Sequence, residues 1–170
     1  GSVSPLMIKS VGAQYMIVGH SDNRSEGDTD IMLKSKVENS LKNKLKVVFC
    51  IGENKTDKMK NRTFKVLKKQ IENVLEKKFN HKDIIVAYEP IWSIGTGKVP
   101  EAKDLLKTTI FIKKVLKKIF KKPNSPAVLY GGSIDAENVS QFKNLNEIDG
   151  FLIGGASKSD KKFIDIIKNY

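Results

Sequence analysis

Short apolar runs alternate with longer amphipathic segments along the whole chain, and this alternation limits the fold more than any other feature. The runs are mostly rich in β-branched or aromatic residues and have the length of buried parallel strands. They cover residues 13–19, 46–51, 83–88, 127–131 and 150–154. Between them, apolar residues such as Leu67, Ile71 and Val74 keep the three-and-four spacing of a helix. The pattern predicts an α/β fold with a parallel sheet of five strands.

Boundary signals agree with this alternation. Ser4 followed by Pro5 predicts the start of a first helix, and Gly12 predicts its end. Pro100 indicates the beginning of a long helix after residue 99. Because no shift in composition marks a linker, residues 1–170 are expected to form a single domain.

The chain carries a formal net charge of +12 at pH 7, which raises the question of a nucleic-acid partner. Only Arg24 and Arg62 are arginines, whereas proteins that read bases and phosphates favour the guanidinium fork. The lysines fall in predicted helices, for example Lys65, Lys68, Lys69, Lys77 and Lys78. We therefore expect solvated helix faces and no nucleic-acid partner.

The sequence also contains no apolar run of about 18 residues and no signal-peptide pattern in its first twenty residues. We expect a cytoplasmic protein without a membrane partner. The single cysteine, Cys50, fits a reducing compartment and is interpreted as a core residue rather than a reactive thiol. His81, in a polar stretch before a predicted strand, is interpreted as a surface residue.

Glycines and polar residues are concentrated where each predicted strand ends. The ends carry Gly19-His20-Ser21, Cys50-Ile51-Gly52-Glu53, Glu89 with a glycine-containing loop, Tyr130-Gly131-Gly132-Ser133 and Gly154-Gly155-Ala156-Ser157. In parallel α/β folds the carboxyl ends of the strands carry the ligand sites. These residues are therefore the candidates for a functional site.

Five segments together resemble the motifs of the triosephosphate isomerase family, in the family's order. They are residues 15–21 (YMIVGHS), 48–53 (VFCIGE), 87–98 (AYEPIWSIGTGK), 130–133 (YGGS) and 149–157 (DGFLIGGAS). The twelve-residue segment is the most specific. The resemblance implies a partial (β/α)8 barrel, in which the five strands are the fourth to eighth and the first three units are missing. It also implies the interconversion of dihydroxyacetone phosphate and glyceraldehyde 3-phosphate in glycolysis and gluconeogenesis, through an enediolate and without a metal or organic cofactor.

The resemblance assigns roles to two side chains. Glu89 matches the carboxylate that moves a proton between adjacent carbons of the substrate. His20 matches the family's neutral imidazole, which polarises the carbonyl oxygen. Ile94 and Leu152 match apolar residues that close over the base, and removing water from Glu89 would raise its proton affinity.

The substrate phosphate is expected on main-chain N–H groups, because small residues let an anion approach the backbone. Gly95, Ser133, Gly154 and Gly155 match the phosphate-binding positions of the family. A mobile lid that excludes water is implied for residues 90–100. Its matching residues are Pro90, Ile91, Trp92, Ile94, Gly95, Thr96, Gly97 and Lys98.

The sequence departs from the family pattern at several places. Asp22-Asn23 stands where the family usually has Glu-Arg, and Lys158 replaces a usual leucine. No predicted strand carries the family's Asn-x-Lys motif, and Asn43 and Asn61 lie in lysine-rich helical stretches. The loop with which this homodimeric family contacts its partner subunit is also not found. Two functions remain open: an isomerase, weak as this chain alone, or a non-catalytic phosphate-binding partial barrel.

Overall fold

The computed structural model describes residues 3–170, in which strands and helices alternate. The strands are β1 (Tyr15–Val18), β2 (Lys46–Ile51), β3 (Ile84–Tyr88), β4 (Ala127–Tyr130) and β5 (Gly150–Phe151). The α-helices are α1 (Pro5–Ser10), α2 (Ser21–Ser25), α3 (Asp30–Lys42), α4 (Lys55–Met59), α5 (Thr63–Val74), α6 (Ala102–Phe120) and α7 (Asp160–Asn169). Short 3-10 helices cover His81–Asp83, Val139–Phe142 and Gly155–Lys158.

All five strands run parallel in one sheet, in the order β1-β2-β3-β4-β5. Each strand thus pairs with the next one along the chain, which is the strand order of a (β/α)8 barrel. The prediction of an α/β partial barrel with five βα units is confirmed. Within residues 3–170, β1 and β5 each have a neighbouring strand on one side only.

The sheet has two faces because side chains alternate along each strand. On the outer face, Val47, Phe49 and Ile51 of β2 are buried against the helices, where they meet side chains such as Ile71 of α5 and Leu116 of α6. A smaller inner cluster consists of Val48, Cys50 and Ala87, with Ile85, Leu129 and Leu152 packed around it. Cys50 is fully buried, as its interpretation as a core residue requires.

The helix boundaries follow the local signals closely. Ser4 caps α1 by accepting the N–H of Met7 at 3.3 Å, and Pro5 occupies the first turn. The helix ends at Ser10, two residues before Gly12. The long helix begins later than Pro100 indicates, because Glu101 keeps an extended conformation as its N-cap. The predicted solvated lysines are all exposed: Lys65, Lys68, Lys69, Lys77 and Lys78. The prediction that all five lie in helices is wrong for Lys77 and Lys78, which lie in a turn after α5 ends at Val74.

Strand β1 exposes apolar side chains on the inner face of the sheet. Tyr15 and Ile17 are 45% and 51% exposed, whereas Val18 on the outer face is 2% exposed. The inner side of β1 therefore lacks the packing that covers β2 and β3. None of the helices within residues 3–170 is both long and apolar enough to cross a membrane.

Candidate active site

His20 and Glu89 meet at the carboxyl edge of the sheet, where β1 and β3 lie on either side of β2. His20 follows β1 and is the N-cap of α2, while Glu89 directly follows β3. The imidazole Nε2 lies 3.7 Å from Oε1 of Glu89. The side chain of His20 is 32% exposed and that of Glu89 only 6%, so the carboxylate is buried behind the imidazole.

The hydrogen bond of the second ring nitrogen determines which atom of His20 can donate. Nδ1 accepts the backbone N–H of Asp22 at 3.3 Å. A neutral imidazole that accepts at Nδ1 carries its proton on Nε2. The ring thus directs an N–H group towards Glu89 and the space in front of it. The carboxylate of Asp22 lies 3.5 Å from Nδ1 but is largely exposed to solvent.

Glu89 is in an environment that favours its protonated form. Burial raises the pKa of this carboxyl group, and the neighbouring His20 and the thiol of Cys50 offset part of that rise. Burial, and next the negative charge of Glu89, raise the pKa of Cys50, which keeps this residue a thiol. Oε2 of Glu89 is buried and has no hydrogen-bond partner within residues 3–170. One carboxylate oxygen is therefore free to accept a proton.

Glycine at position 131 makes room for the glutamate. A Cβ atom at Gly131 would lie 2.7 Å from Cγ and 3.1 Å from Oε1 of Glu89. These distances are too short for non-bonded atoms, so any larger residue must displace the carboxylate. Gly131 also donates its N–H to the carbonyl of Tyr88 at 2.9 Å, which fixes its backbone beside β3.

The candidate site residues surround one cavity of about 360 Å³. Its lining includes both predicted catalytic residues, His20 and Glu89, and all four predicted phosphate-binding residues, Gly95, Ser133, Gly154 and Gly155. Ile94, Gly97 and Leu152 line it as well. A Cβ at Gly154 or Gly155 would meet no atom within 4 Å, so the backbone at these positions faces open space. An anion can approach the main chain there.

The segment implied as a lid is bonded to the loop after β4. Ser133 Oγ donates to the carbonyl of Ser93 at 2.6 Å and accepts the N–H of Gly97 at 3.2 Å. At the other end of the segment, the indole N–H of Trp92 donates to Glu53 at 2.9 Å. Of the remaining implied lid residues, Pro90, Ile91, Thr96 and Lys98 flank the cavity without lining it.

A family model described as triosephosphate isomerase matches residues 1–170. The chain belongs to the triosephosphate isomerase family. The triosephosphate isomerase of Thermodesulfovibrio yellowstonii is 39% identical over 170 residues, which cover 99% of this chain and 69% of that protein. Similar proteins of the same name occur in Finegoldia magna, 40% identical over 177 residues that cover 100% of this chain and 70% of the relative. The relative in Dictyoglomus thermophilum is 34% identical over 174 residues, which cover 99% of this chain and 70% of that protein.

The positions at which the chain departs from the family's motifs have identifiable places in the structure. Asp22, where the family usually has glutamate, donates its N–H to Nδ1 of His20, and its carboxylate lies 3.5 Å from the same nitrogen. Lys158 ends the exposed 3-10 helix Gly155–Lys158. Asn43 caps the end of α3, and Asn61 follows α4 with a φ of 53°. Neither asparagine lies at a strand end, so neither belongs to the cavity.

The sequence indicated Glu53 as a residue at a strand end and as part of a triosephosphate isomerase motif but gave it no role, yet its side chain organises the base of the lid. Its carboxylate is fully buried and accepts from the hydroxyl of Tyr88 at 3.1 Å and from the indole of Trp92. Its carbonyl accepts the N–H of Ile91 at 3.0 Å. The signal was a charged residue two positions after a strand that is apolar from Val47 to Ile51, since charged side chains next to buried segments are seldom buried without partners.

Proposed function

We propose that the cavity between His20, Glu89 and the loops after β4 and β5 binds a phosphorylated triose and interconverts dihydroxyacetone phosphate and glyceraldehyde 3-phosphate. One observation carries the proposal. An imidazole N–H faces a buried glutamate with a free oxygen, at 3.7 Å, beside backbone that is open to an anion. Membership of the triosephosphate isomerase family supports the same reaction.

The phosphate group would bind to main-chain N–H groups near Gly154, Gly155 and Ser133. Backbone donors hold an anion without bulky side chains, and hydrogen bonds to a charged acceptor are stronger than neutral ones. Gly95 of the lid lines the same cavity and would add a donor from the opposite side. A substrate held in this way would have its carbon chain directed towards Glu89 and His20.

Glu89 would then remove a proton from C1 of dihydroxyacetone phosphate, while His20 Nε2–H donates to the carbonyl oxygen. The electron pair of the broken C–H bond forms the C1–C2 double bond of an enediolate. Glu89 then returns a proton to C2, while the proton of the O1 hydroxyl passes to O2 by way of the His20 imidazole, so that the aldehyde and the C2 hydroxyl form together. The raised pKa of Glu89 suits this shuttle, because a buried carboxylate binds a proton more readily.

The lid contributes by excluding water. Its bonds to Ser133 hold residues 93–97 over the cavity, and the apolar side chains of Ile94 and Leu152 line the wall beside Glu89. A dry cavity strengthens the electrostatic interactions and protects a reactive enediolate. The proposal includes a cytoplasmic location and a small phosphorylated substrate rather than a nucleic acid. It does not include the family's homodimer, because the loop that contacts the partner subunit is not found in this sequence.

Hydrogen exchange in D2O tests the proposal even if turnover is slow. Glu89 takes a C1 proton as the enediolate forms, exchanges it with D2O and returns a deuteron to C1, and ¹H NMR detects the loss of the C1 hydrogen signal. We expect Glu89→Gln to lower this exchange rate by at least about 100-fold, since acid–base catalysis typically supplies that factor. The surface substitution Glu72→Gln makes the same change in charge and serves as the control.

The same experiment separates the two functions that the sequence leaves open. Binding of phosphate, followed through the amide signals of Gly154, Gly155 and Ser133, should stay within about tenfold in Glu89→Gln. Equal exchange rates in the unaltered chain and Glu89→Gln would remove Glu89 from the mechanism. Phosphate binding without any exchange in the unaltered chain would instead support a non-catalytic phosphate-binding protein.

A further inference from the structure

Arg24 joins the two strands on which the candidate catalytic groups depend. Its Nε donates to the carbonyl of Gly19 at 2.8 Å, and its Nη2 donates to the carbonyl of Cys50 at 3.1 Å. The first carbonyl belongs to the residue directly before His20. The second belongs to the residue directly before Ile51, whose carbonyl accepts the N–H of Glu89 at 2.7 Å. A single planar guanidinium therefore connects the backbone beside one candidate group with the backbone beside the other.

This connection lies just beyond the point at which the pairing of β1 with β2 stops. The last paired residues of β1 and β2 are Val18 and Phe49. Gly19 and Cys50, the next residue on each strand, both have carbonyls that accept from Arg24. The arginine thus continues the connection between the strands one step beyond the ladder. A lysine cannot do so, because one ammonium group lacks the fixed fork of donors.

The surroundings hold Arg24 in one position. Its side chain is only 16% exposed, and Nη1 lies 3.4 Å from Oδ1 of Asp30 at the start of α3. The guanidinium carbon lies 5.7 Å from the ring centroid of Phe49, within range of a cation–π contact. Burial lowers the pKa of Arg24, and Asp30 offsets part of that effect, so the group stays charged.

Gly19 completes the tight junction. It has a φ of 79°, and a Cβ there would lie 3.1 Å from Nη2 of Arg24 and 3.2 Å from the carbonyl oxygen of Cys50. The backbone that leads into His20 consequently turns directly against the guanidinium. The absence of a side chain at Gly19 leaves room for the guanidinium, and a displaced fork would lose or move its hydrogen bond to the Gly19 carbonyl.

We propose that Arg24 is a positioning residue that sets the separation between His20 and Glu89. It touches neither the cavity nor a substrate, and acts through the carbonyls of Gly19 and Cys50. The proposal rests on the function proposed above, in which these two side chains work as a pair. It predicts that loss of the fork uncouples the pair while phosphate binding at the far end of the cavity persists.

A double-mutant cycle read by NMR tests this directly. The Glu89→Gln substitution should change the ¹⁵N chemical shifts of the His20 ring, because the carboxylate lies 3.7 Å from Nε2. We expect that response to fall by at least half in Arg24→Lys, which keeps the charge and loses the fork, and in Arg24→Met. If Arg24→Met does not fold, Arg24→Lys alone decides the outcome.

Lys36→Met is the matched control. It breaks the ion pair of Lys36 with Asp28, with N–O distances of 2.6 and 2.7 Å, and removes none of the hydrogen bonds from Arg24 to the carbonyls of Gly19 and Cys50. The change in the His20 ¹⁵N shifts caused by Glu89→Gln should be the same in Lys36→Met as in the unaltered chain, even if Lys36→Met lowers the melting temperature as much as Arg24→Lys does. An undiminished response in Arg24→Lys, or an equal loss in Lys36→Met, would overturn the positioning role.

Inorganic phosphate separates this proposal from the proposed function. Its dissociation constant, measured on the amide signals of Gly154, Gly155 and Ser133, should change by less than about twofold in Arg24→Lys. A large loss of binding there would show a general collapse of the site and contradict a local role for Arg24. Failure of phosphate to shift these signals in the unaltered chain would instead contradict the proposed function and leave the NMR cycle interpretable.

Discussion

Glu89 is the residue at which burial and chemistry are most closely linked. Its pKa lies above the 4.5 of a free glutamate because burial disfavours the charged form. The folded chain therefore keeps this proton to a higher pH than the unfolded chain. The associated stability is fully present below about pH 4.5 and is lost as the pH rises through the folded-state pKa.

A comparison of the unaltered chain with Glu89→Gln at several pH values should reveal the raised pKa of Glu89. As the pH rises from about 4 to about 8, the free energy of unfolding of the unaltered chain should fall relative to that of the variant. Urea titrations at several pH values measure the difference, with Glu72→Gln as the exposed control. A difference that stays constant, or one that changes in the opposite direction, would contradict the assignment of a raised pKa to Glu89.

Two glycines of the cavity should respond to alanine in different ways. Gly131→Ala places a methyl group against Glu89, so we expect a loss of about 1–3 kcal/mol in unfolding free energy, as for other overpacked sites. Gly155→Ala meets no atom within 4 Å, and its unfolding free energy should change by less than about 0.5 kcal/mol.

Gly155→Ala should weaken phosphate binding strongly, although its effect on stability is small. A methyl group there points into the space that the anion would occupy, so we expect the dissociation constant of phosphate to rise by at least about tenfold in Gly155→Ala, equivalent to about 1.4 kcal/mol. Chemical denaturation and calorimetric titration with phosphate measure the two quantities. Unchanged phosphate affinity in Gly155→Ala would remove this backbone position from the cradle.

At the scale of single elements, β1 offers the sharpest contrast between the two faces of the sheet. Ile17 is 51% exposed and its neighbour Val18 is 2% exposed. Val18→Thr buries a hydroxyl group in an apolar core, so we expect a loss of about 1–3 kcal/mol. Ile17→Thr should cost less than about 0.5 kcal/mol. Equal losses in the two variants, measured by urea denaturation, would mean that the inner face of β1 is covered in solution.

The sequence predicted strands best where both neighbours are present. The bounds of β2, Lys46–Ile51, agree with its apolar run, because both faces of this strand are buried. The predicted strand 13–19 is shorter in the structure, since β1 pairs on one side only. Strand β5 ends at Phe151 rather than at residue 154, because the chain turns there into the 3-10 helix Gly155–Lys158.

Other features had no readable signal. The sequence indicated a helical stretch around Asn43, but the hydrophobic pattern did not set the bounds of α3, because Ile31 is exposed while Leu33 and Val37 are buried, which places apolar residues on both sides of the helix. The motifs indicated His20 and Glu89, which line one cavity. The role of Arg24 depends on two backbone carbonyls, and backbone acceptors are the same for every residue type. No sequence pattern could indicate that contact.

At the scale of the whole molecule, the exposed apolar surface and the net charge act in opposite directions. The inner side of β1 exposes Tyr15 and Ile17, and α7 exposes Phe163, Ile164 and Ile167. Unpaired strand edges and apolar faces favour association. A net charge of +12 opposes it, and salt screens that repulsion over about 10 Å at 0.1 M.

We therefore expect a polypeptide of these 170 residues to self-associate more strongly as the salt concentration rises. Light scattering at about 0.02 M and 0.3 M NaCl measures the effect. The part of the Thermodesulfovibrio yellowstonii relative outside the 69% that this chain matches, added in trans, should increase the monodisperse fraction. A monomer at both salt concentrations, unaffected by that segment, would contradict this expectation.

The indole of Trp92 gives the molecule an optical property of its own. The chain contains one tryptophan, and its ring donates to the buried Glu53 while the ammonium group of Lys58 lies 5.7 Å from the ring centroid. Carboxylates and ammonium groups this close alter the emission of an indole. With excitation selective for tryptophan over the four tyrosines, the intrinsic fluorescence consequently originates at the base of the segment that covers the cavity. A stopped-flow trace with unlabelled protein would follow that segment alone.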